Sequence, residues 1–237
     1  MIATDAFSEF ANAQYKDVAG IAKQLPHEKL RKWIADPETP QTRLGLYGMM
    51  LGLCGNEDDA KLLEKKMLDA NGDFRLGIDG VMGGYLLITG DKGLAVVDRE
   101  KIEKKKIPFS ETFAAMQALR FMWTYGNGRI EPERLRQSMR LLLDRPELAD
   151  LVIADLARWK DWTVQDRLME MYDSEEFNVP SVKRAIVRYL LVCSRHVATT
   201  ADGSPNPYAA DAKQLLEGLR KKDPKTVSEA ERFFVSP

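Results

Sequence analysis

RLGLYGMMLGLCGNEDDAKLL, residues 43–63, sets four glycines (Gly45, Gly48, Gly52 and Gly55) in a run otherwise composed like a buried helix. A glycine inside a helix costs about 1 kcal/mol against alanine, so three of them need a compensating contact. Residues 43–54 are apolar nearly all round, as a helix covered on several sides must be. Gly45, Gly48 and Gly52 would then let a neighbouring helix come close. After Gly55, Asn56 and an acidic run open a second helix. The local unit is therefore helix, glycine-ended turn, helix.

The same unit recurs. Gly55, Gly90 and Gly126 each close an apolar helix, at separations of 35 and 36 residues. At the first offset Gly45 and Gly48 fall on Gly80 and Gly83, and Leu51 and Leu53 on Leu86 and Ile88. A further step carries Trp123 onto Trp159 and puts Trp162 where Gly126 stood. Second helices follow as DDAKLLEKKML, KGLAVVDREKI, PERLRQSMRLLL, VQDRLMEMY and AADAKQLLEGLR, each with apolar residues three and four apart. A fixed period of this length marks stacked helical repeats, here about five to six pairs in one all-α superhelix spanning residues 1–237. Glycine at each turn fits the left-handed conformation that ends helices. Pro40, Pro108, Pro146 and Pro180 lie near helix starts, where a missing N–H costs little. Two half-units, residues 4–25 and 27–36, precede the first clear pair, and ATTADGSPNP, residues 198–207, reads as a mobile loop between the last pair's helices.

Composition narrows the function. Thirty-five Lys and Arg face 36 Asp and Glu, a net charge of −1, which disfavours a nucleic-acid partner because such binding rests on a basic face. No apolar run of about 18 residues is present to span a bilayer. The opening MIATDAFSEFANA lacks the basic flank and apolar core of a signal peptide and reads directly as a helix, with Ala6, Phe7, Phe10 and Ala11 on one stripe. So abrupt an apolar start leads to the expectation that the chain is part of a longer parent. Cys54 and Cys193 lie far apart in apolar runs, as buried free thiols do.

In period, helix pairing and glycine-ended first helices, the chain resembles HEAT and armadillo-like helical repeats. The phrases RLGLYGMMLGLCG, FRLGIDGVMGGYLLITG, LADLVIADLARWKDW and VPSVKRAIVRYLLVC are similar to those of an uncharacterised bacterial HEAT-like family, over nearly the whole chain. The usual Pro, Asp and Arg landmarks of HEAT repeats are irregular. The resemblance implies a solenoid without catalytic residues or cofactor. It also implies export, since members of that family often carry this part behind an export signal and a small β-rich segment.

Candidate chemistry is sparse. His27 and His196 have no metal spacing. His27 reads as lying at an exposed helix start, and His196 follows a helix C-terminus where the dipole favours a cation. RWKDWTVQDR, residues 158–167, sets two tryptophans and an aspartate at a helix junction. Trp159, Asp161 and Trp162 would suit stacking on an extruded base beside a carboxylate, as in HEAT-fold DNA glycosylases, although the register of Trp159 with Trp123 favours packing. Arg136 and Arg140, one turn apart, with Arg167 and Trp162, make the candidate partner surface, because concave solenoid faces habitually bind. Accompanying Glu131, Glu133 and Asp144 would equally explain that cluster as ion pairs. The leading expectation is a monomeric, non-enzymatic scaffold for a protein partner or an upstream domain of the same chain. A nucleic-acid enzyme of glycosylase type, or a plain spacer, are the alternatives.

Overall fold

A computed structural model describes residues 2–69, 75–196 and 206–232, with side chains from Phe7 onward. Among these residues every regular element is helical: α1 (Ile2–Asn12), α2 (Tyr15–Gly20), α3 (His27–Ala35), α4 (Gln41–Cys54), α5 (Glu57–Leu68), α6 (Ile78–Thr89), α7 (Asp91–Val97), α8 (Phe109–Tyr125), α9 (Pro132–Leu141), α10 (Ala149–Arg158), α11 (Gln165–Asp173), α12 (Pro180–Arg195), α13 (Tyr208–Lys222) and α14 (Pro224–Arg232). The helices expected from the period are present in order, and of the consecutive ones α4 packs on α5, α6 on α7 and α12 on α13. Of the expected loop 198–207, all but Asn206 and Pro207 lies outside the described residues. The chain divides into two compact units, Met1–Ser138 and Met139–Pro237, with the break inside α9.

In the first unit α4 packs on α6 and α6 on α8, while α5 lies against α6 and α3 against α4 and α5. The glycines explain how close the first contact is. A Cβ on Gly48 would stand 2.7 Å from the Val81 Cα, one on Gly52 2.4 Å from the Gly84 Cα, and one on Gly84 2.0 Å from the Gly48 carbonyl oxygen. Backbone meets backbone there, and only hydrogen fits. Gly83, by contrast, turns to the Phe121 ring of α8, 3.0 Å from where its Cβ would be. The most deeply covered of these helices is α6, with seven of its residues buried (Ile78 and Val81–Leu86). α4 keeps Arg43, Leu44, Gly45 and Leu46 half-exposed, so the all-round apolar helix is open on one flank.

None of the three turn glycines takes the expected left-handed helical conformation. Gly90 has a positive φ of 59° but pairs it with a ψ of −136°. Gly55 has φ −83° and Gly126 φ −72°. These two are glycine for want of space: a Cβ would meet the Leu51 oxygen at 2.6 Å and the Met122 oxygen at 2.4 Å. After Gly126, Asn127 and Gly128 supply the positive φ values, 48° and 73°. Asn56 opens α5 through a capping box, its side chain accepting from the Asp59 amide while the Asp59 carboxylate accepts from its own. α7 runs on into a π-turn over Asp98–Ile102 that buries Asp98, Lys101 and Ile102 together.

In the second unit α10 packs on α12, and α12 also meets α11, α13 and α14. Pro180 occupies the first turn of α12, the position it tolerates best. The core is built from Val152, Ile153, Leu156, Leu168, Ile186, Val187, Leu190 and Leu216. No helix among the described residues is long and apolar enough to cross a membrane.

Candidate functional site

The RWKDW junction folds inward. α10 ends in a Schellman turn: the Lys160 amide donates to the Ala157 carbonyl and the Asp161 amide to that of Leu156. Lys160 takes the left-handed role at φ 56°. That turn directs Trp159, Asp161 and Trp162 into the second unit, where they are 3%, 2% and 6% exposed. The Asp161 carboxylate accepts a fork from Arg140, Nε at 2.6 Å and Nη2 at 2.9 Å, and also accepts from the Thr163 hydroxyl at 2.7 Å. Trp162 stands edge-on to Tyr189, ring centroids 5.4 Å apart, and the Tyr189 hydroxyl donates to the Asp161 carbonyl at 2.5 Å. Burial drives the Tyr189 phenol far above its ordinary pKa, helped by the Asp161 charge.

These contacts correct the expected surface. Trp162 is interior, because the Schellman turn aims it at α12 instead of at solvent. Arg140 spends its fork on Asp161, so the stripe with Arg136 is not presented as a pair. Arg136 lies over the Trp123 ring, 5.4 Å from its centroid, and reaches Glu133 at 3.5 Å. Arg167 donates to the Arg140 carbonyl at 3.0 Å and to Asp144 at 2.6 Å, tying the end of α9 to α11. The three arginines and the buried tryptophan brace helix ends. Asp161 and the two tryptophans do converge, but in a packed interior, with the carboxylate closed off by Arg140 and Thr163.

The histidines also differ in part from expectation. His27 is part-buried, and its Nε2 meets the buried Asp59 carboxylate at 2.7 Å; Arg31 Nε donates to the other oxygen at 2.8 Å. Burial alone would raise the Asp59 pKa, but the Arg31, His27 and Asn56 hydrogen bonds outweigh it and hold the carboxyl below its usual value. His196 ends α12 beside Trp162, 5.7 Å between rings. Partial burial, then the Lys160 charge, push its pKa down. The cation expected from the helix dipole is therefore opposed there. Cys193 is buried, its thiol pushed up to about 11 mainly by desolvation.

Sequence reasoning missed the buried charges of the first unit. Glu111 accepts from Arg75 (Nε 2.8 Å, Nη2 2.5 Å) and from Lys101 at 2.7 Å. The same Arg75 guanidinium donates to the Lys66 and Met67 carbonyls at the end of α5, satisfying carbonyls a helix terminus leaves open. Desolvation works to raise the Glu111 pKa, yet its two cationic partners hold it below the ordinary carboxylate range. Asp98, in the π-turn, accepts from Arg134 at 2.5 Å. Arg75–Glu111 and Asp98–Arg134 are each 36 residues apart. Opposite charges one period apart were the signal that could have found them.

An aromatic-lined opening lies at the half-exposed flank of α4. A cleft of about 280 Å³ is lined by Phe7 and Phe10 of α1, Pro26, Trp33, Thr39, Pro40, and by Arg43, Leu46, Tyr47 and Met50 of α4. Trp33 stacks on Tyr47 with centroids 4.9 Å apart, Phe7 meets Tyr47 edge-on at 6.1 Å, and the Arg43 guanidinium lies 5.1 Å from the Phe7 centroid. In the second unit a shallower groove of about 360 Å³ separates α10 from α12, with Asp150, Leu151, Ser181, Arg184 and Arg188 at its edges. Among the described residues no group of His, Cys, Asp and Glu is placed to hold a metal ion.

The architecture of the described residues defines an all-α protein. No family model, curated protein or solved structure matches the chain.

Proposed function

We propose that the chain is a HEAT/armadillo-like helical-repeat scaffold, non-enzymatic, presenting its helical flanks to a protein partner or to another domain of its own parent chain. The observation that carries this reading is the pair of buried ion links one period apart. Arg75–Glu111 ties the segment before α6 to α8, and Asp98–Arg134 ties the turn after α7 to α9. Both links join the α6–α7 segment to the α8–α9 segment at the same spacing, and the first helices α4, α6 and α8 stack in chain order. Neighbour-to-neighbour fastening of this kind is what repeat proteins use to build extended binding surfaces. The nucleotide-processing alternative loses its main support with Asp161, whose carboxylate is committed to Arg140 and Thr163.

Two measurements test the reading. Small-angle scattering of the monomer should give a radius of gyration above the ~18 Å expected of a compact 237-residue globule. Crosslinking in the producing cell, followed by peptide mapping, should join one protein or domain to contiguous helix pairs. A compact scattering curve would refute the solenoid, and crosslinks to nucleic acid in place of protein would refute the scaffold role.

A further inference from the structure

The cleft between α1 and α4 has the attributes of a small-molecule site, and they select one chemistry. Its walls are apolar and largely aromatic, from Phe7, Phe10, Trp33, Tyr47 and Met50. Among the described lining residues the single charge is Arg43, with the Thr39 and Tyr47 hydroxyls and the Trp33 indole N–H as the polar groups beside it. A mostly apolar concavity with a few placed polar groups is how ligand pockets are made. At about 280 Å³ it falls at the small end of such pockets. Trp33 is 39% exposed even though its ring stacks on Tyr47, so an aromatic face remains for a guest.

The charge decides the class of guest. An aromatic box by itself would welcome a cation, but Arg43 already lies against the Phe7 face and would repel one. No carboxylate among the described residues pairs with Arg43, whereas Arg31, Arg75, Arg134, Arg140 and Arg167 each have one. A guanidinium fork held on an aromatic wall is suited to bidentate contact with a carboxylate.

We propose that this cleft binds a small amphipathic carboxylate, its apolar body between Trp33, Tyr47 and the two phenylalanines and its carboxylate on Arg43. One wall belongs to α1, whose Phe7 ring meets Tyr47 and Arg43 of α4, so the ligand also fastens the N-terminal helix to α4.

The test is calorimetric titration of the whole chain with 4-phenylbutyrate, with 4-phenylbutan-1-ol as the neutral counterpart, and hydrogen exchange read at residues 7–12. Saturable binding of the carboxylate, weaker by roughly tenfold or more for the alcohol and in Arg43→Gln, is expected. Bound carboxylate should slow exchange in α1. Arg43→Lys, which keeps the charge and loses the fork, should fall between. Circular dichroism melting confirms that both variants fold, as substitution at a half-exposed site should allow. Absence of saturable binding, equal binding of acid and alcohol, or wild-type affinity in Arg43→Gln would each overturn the proposal, as would unchanged exchange at residues 7–12 in the bound state.

Discussion

Replacing Gly84 by alanine puts the central packing idea at most risk. In an exposed helix the change should stabilise by about 1 kcal/mol, the ordinary propensity difference. At Gly84 the new methyl would sit 2.0 Å from the Gly48 carbonyl oxygen and 2.6 Å from its carbon. Ordinary contact begins near 3.4 Å, so α4 and α6 must part by something over an ångström. The obstacle is backbone and cannot rotate aside. Forcing a methylene into a packed contact costs typically 1–3 kcal/mol, and a gap of 0.5–1 Å already forfeits a quarter to a half of the dispersion well along the contact. Taking about 3 kcal/mol for the overpacking and subtracting about 1 for propensity leaves a net loss of about 2 kcal/mol. Gly218 in α13 is the control: it is exposed, and a Cβ there would meet nothing within 4 Å. Gly218→Ala should therefore stabilise by about 1 kcal/mol. Urea unfolding followed by circular dichroism at 222 nm reads both. Opposite signs are expected, and a Gly84→Ala variant as stable as Gly218→Ala would refute the backbone-on-backbone contact.

Other expectations follow from the buried charges and thiols. Asp161→Asn removes the buried carboxylate that takes the Arg140 fork and should cost about 3 kcal/mol; a Tm equal to wild type would return Asp161 to the list of functional carboxylates. The folded-state pKa values of Glu111 and Asp59 are lowered, so their stabilisation is complete above the unfolded carboxylate values near 4 and is lost as pH falls through the folded ones. Urea midpoints measured from pH 6 down to pH 3 should decline, and more shallowly in Glu111→Gln. That variant should also lose about 3–5 kcal/mol at pH 7, because Lys101 and Arg75 keep their charges without the partner. Cys193, buried and with its thiol near 11, should resist thiol-modifying reagents in the folded protein at pH 8, while half-buried Cys54 reacts first. Equal labelling rates would contradict the packing of α12.

Much of the architecture was legible in the chain. Spacings of 35 and 36 residues between Gly55, Gly90 and Gly126 placed the helix pairs, and the glycine row in α4 announced the close approach to α6. What the row could not say was which way its counterparts face. Gly45 and Gly48 aligned with Gly80 and Gly83, yet Gly80 and Gly84 meet α4 while Gly83 meets α8. The residue facing a partner depends on helix rotation, which repeat alignment does not encode. Of the three assumed left-handed turns only Gly90 has a positive φ, and its ψ of −136° is not the left-handed helical value; a glycine can be required by crowding as well as by φ.

The candidate site was harder to see. Trp159 and Trp162 were placed in a helix junction, but whether they opened to solvent was set by the Schellman turn at Lys160. Arg136, Arg140 and Arg167 stood out as a basic cluster, and composition supplied both the binding and the ion-pair readings. The aromatic cleft draws on Phe7, Trp33 and Tyr47, residues tens of positions apart with no common spacing, so no local pattern could bring them together.

The sequence by itself determined an all-α chain of paired helices, because apolar periodicity and helix-ending residues act within a few turns of backbone. Tertiary structure alone decided which charges are spent internally, which tryptophans are covered and where an open cleft remains. Those outcomes depend on the rotation and separation of helices that meet across 20 to 50 residues of chain, and there a single fork or turn settles whether a side chain faces water or a neighbour.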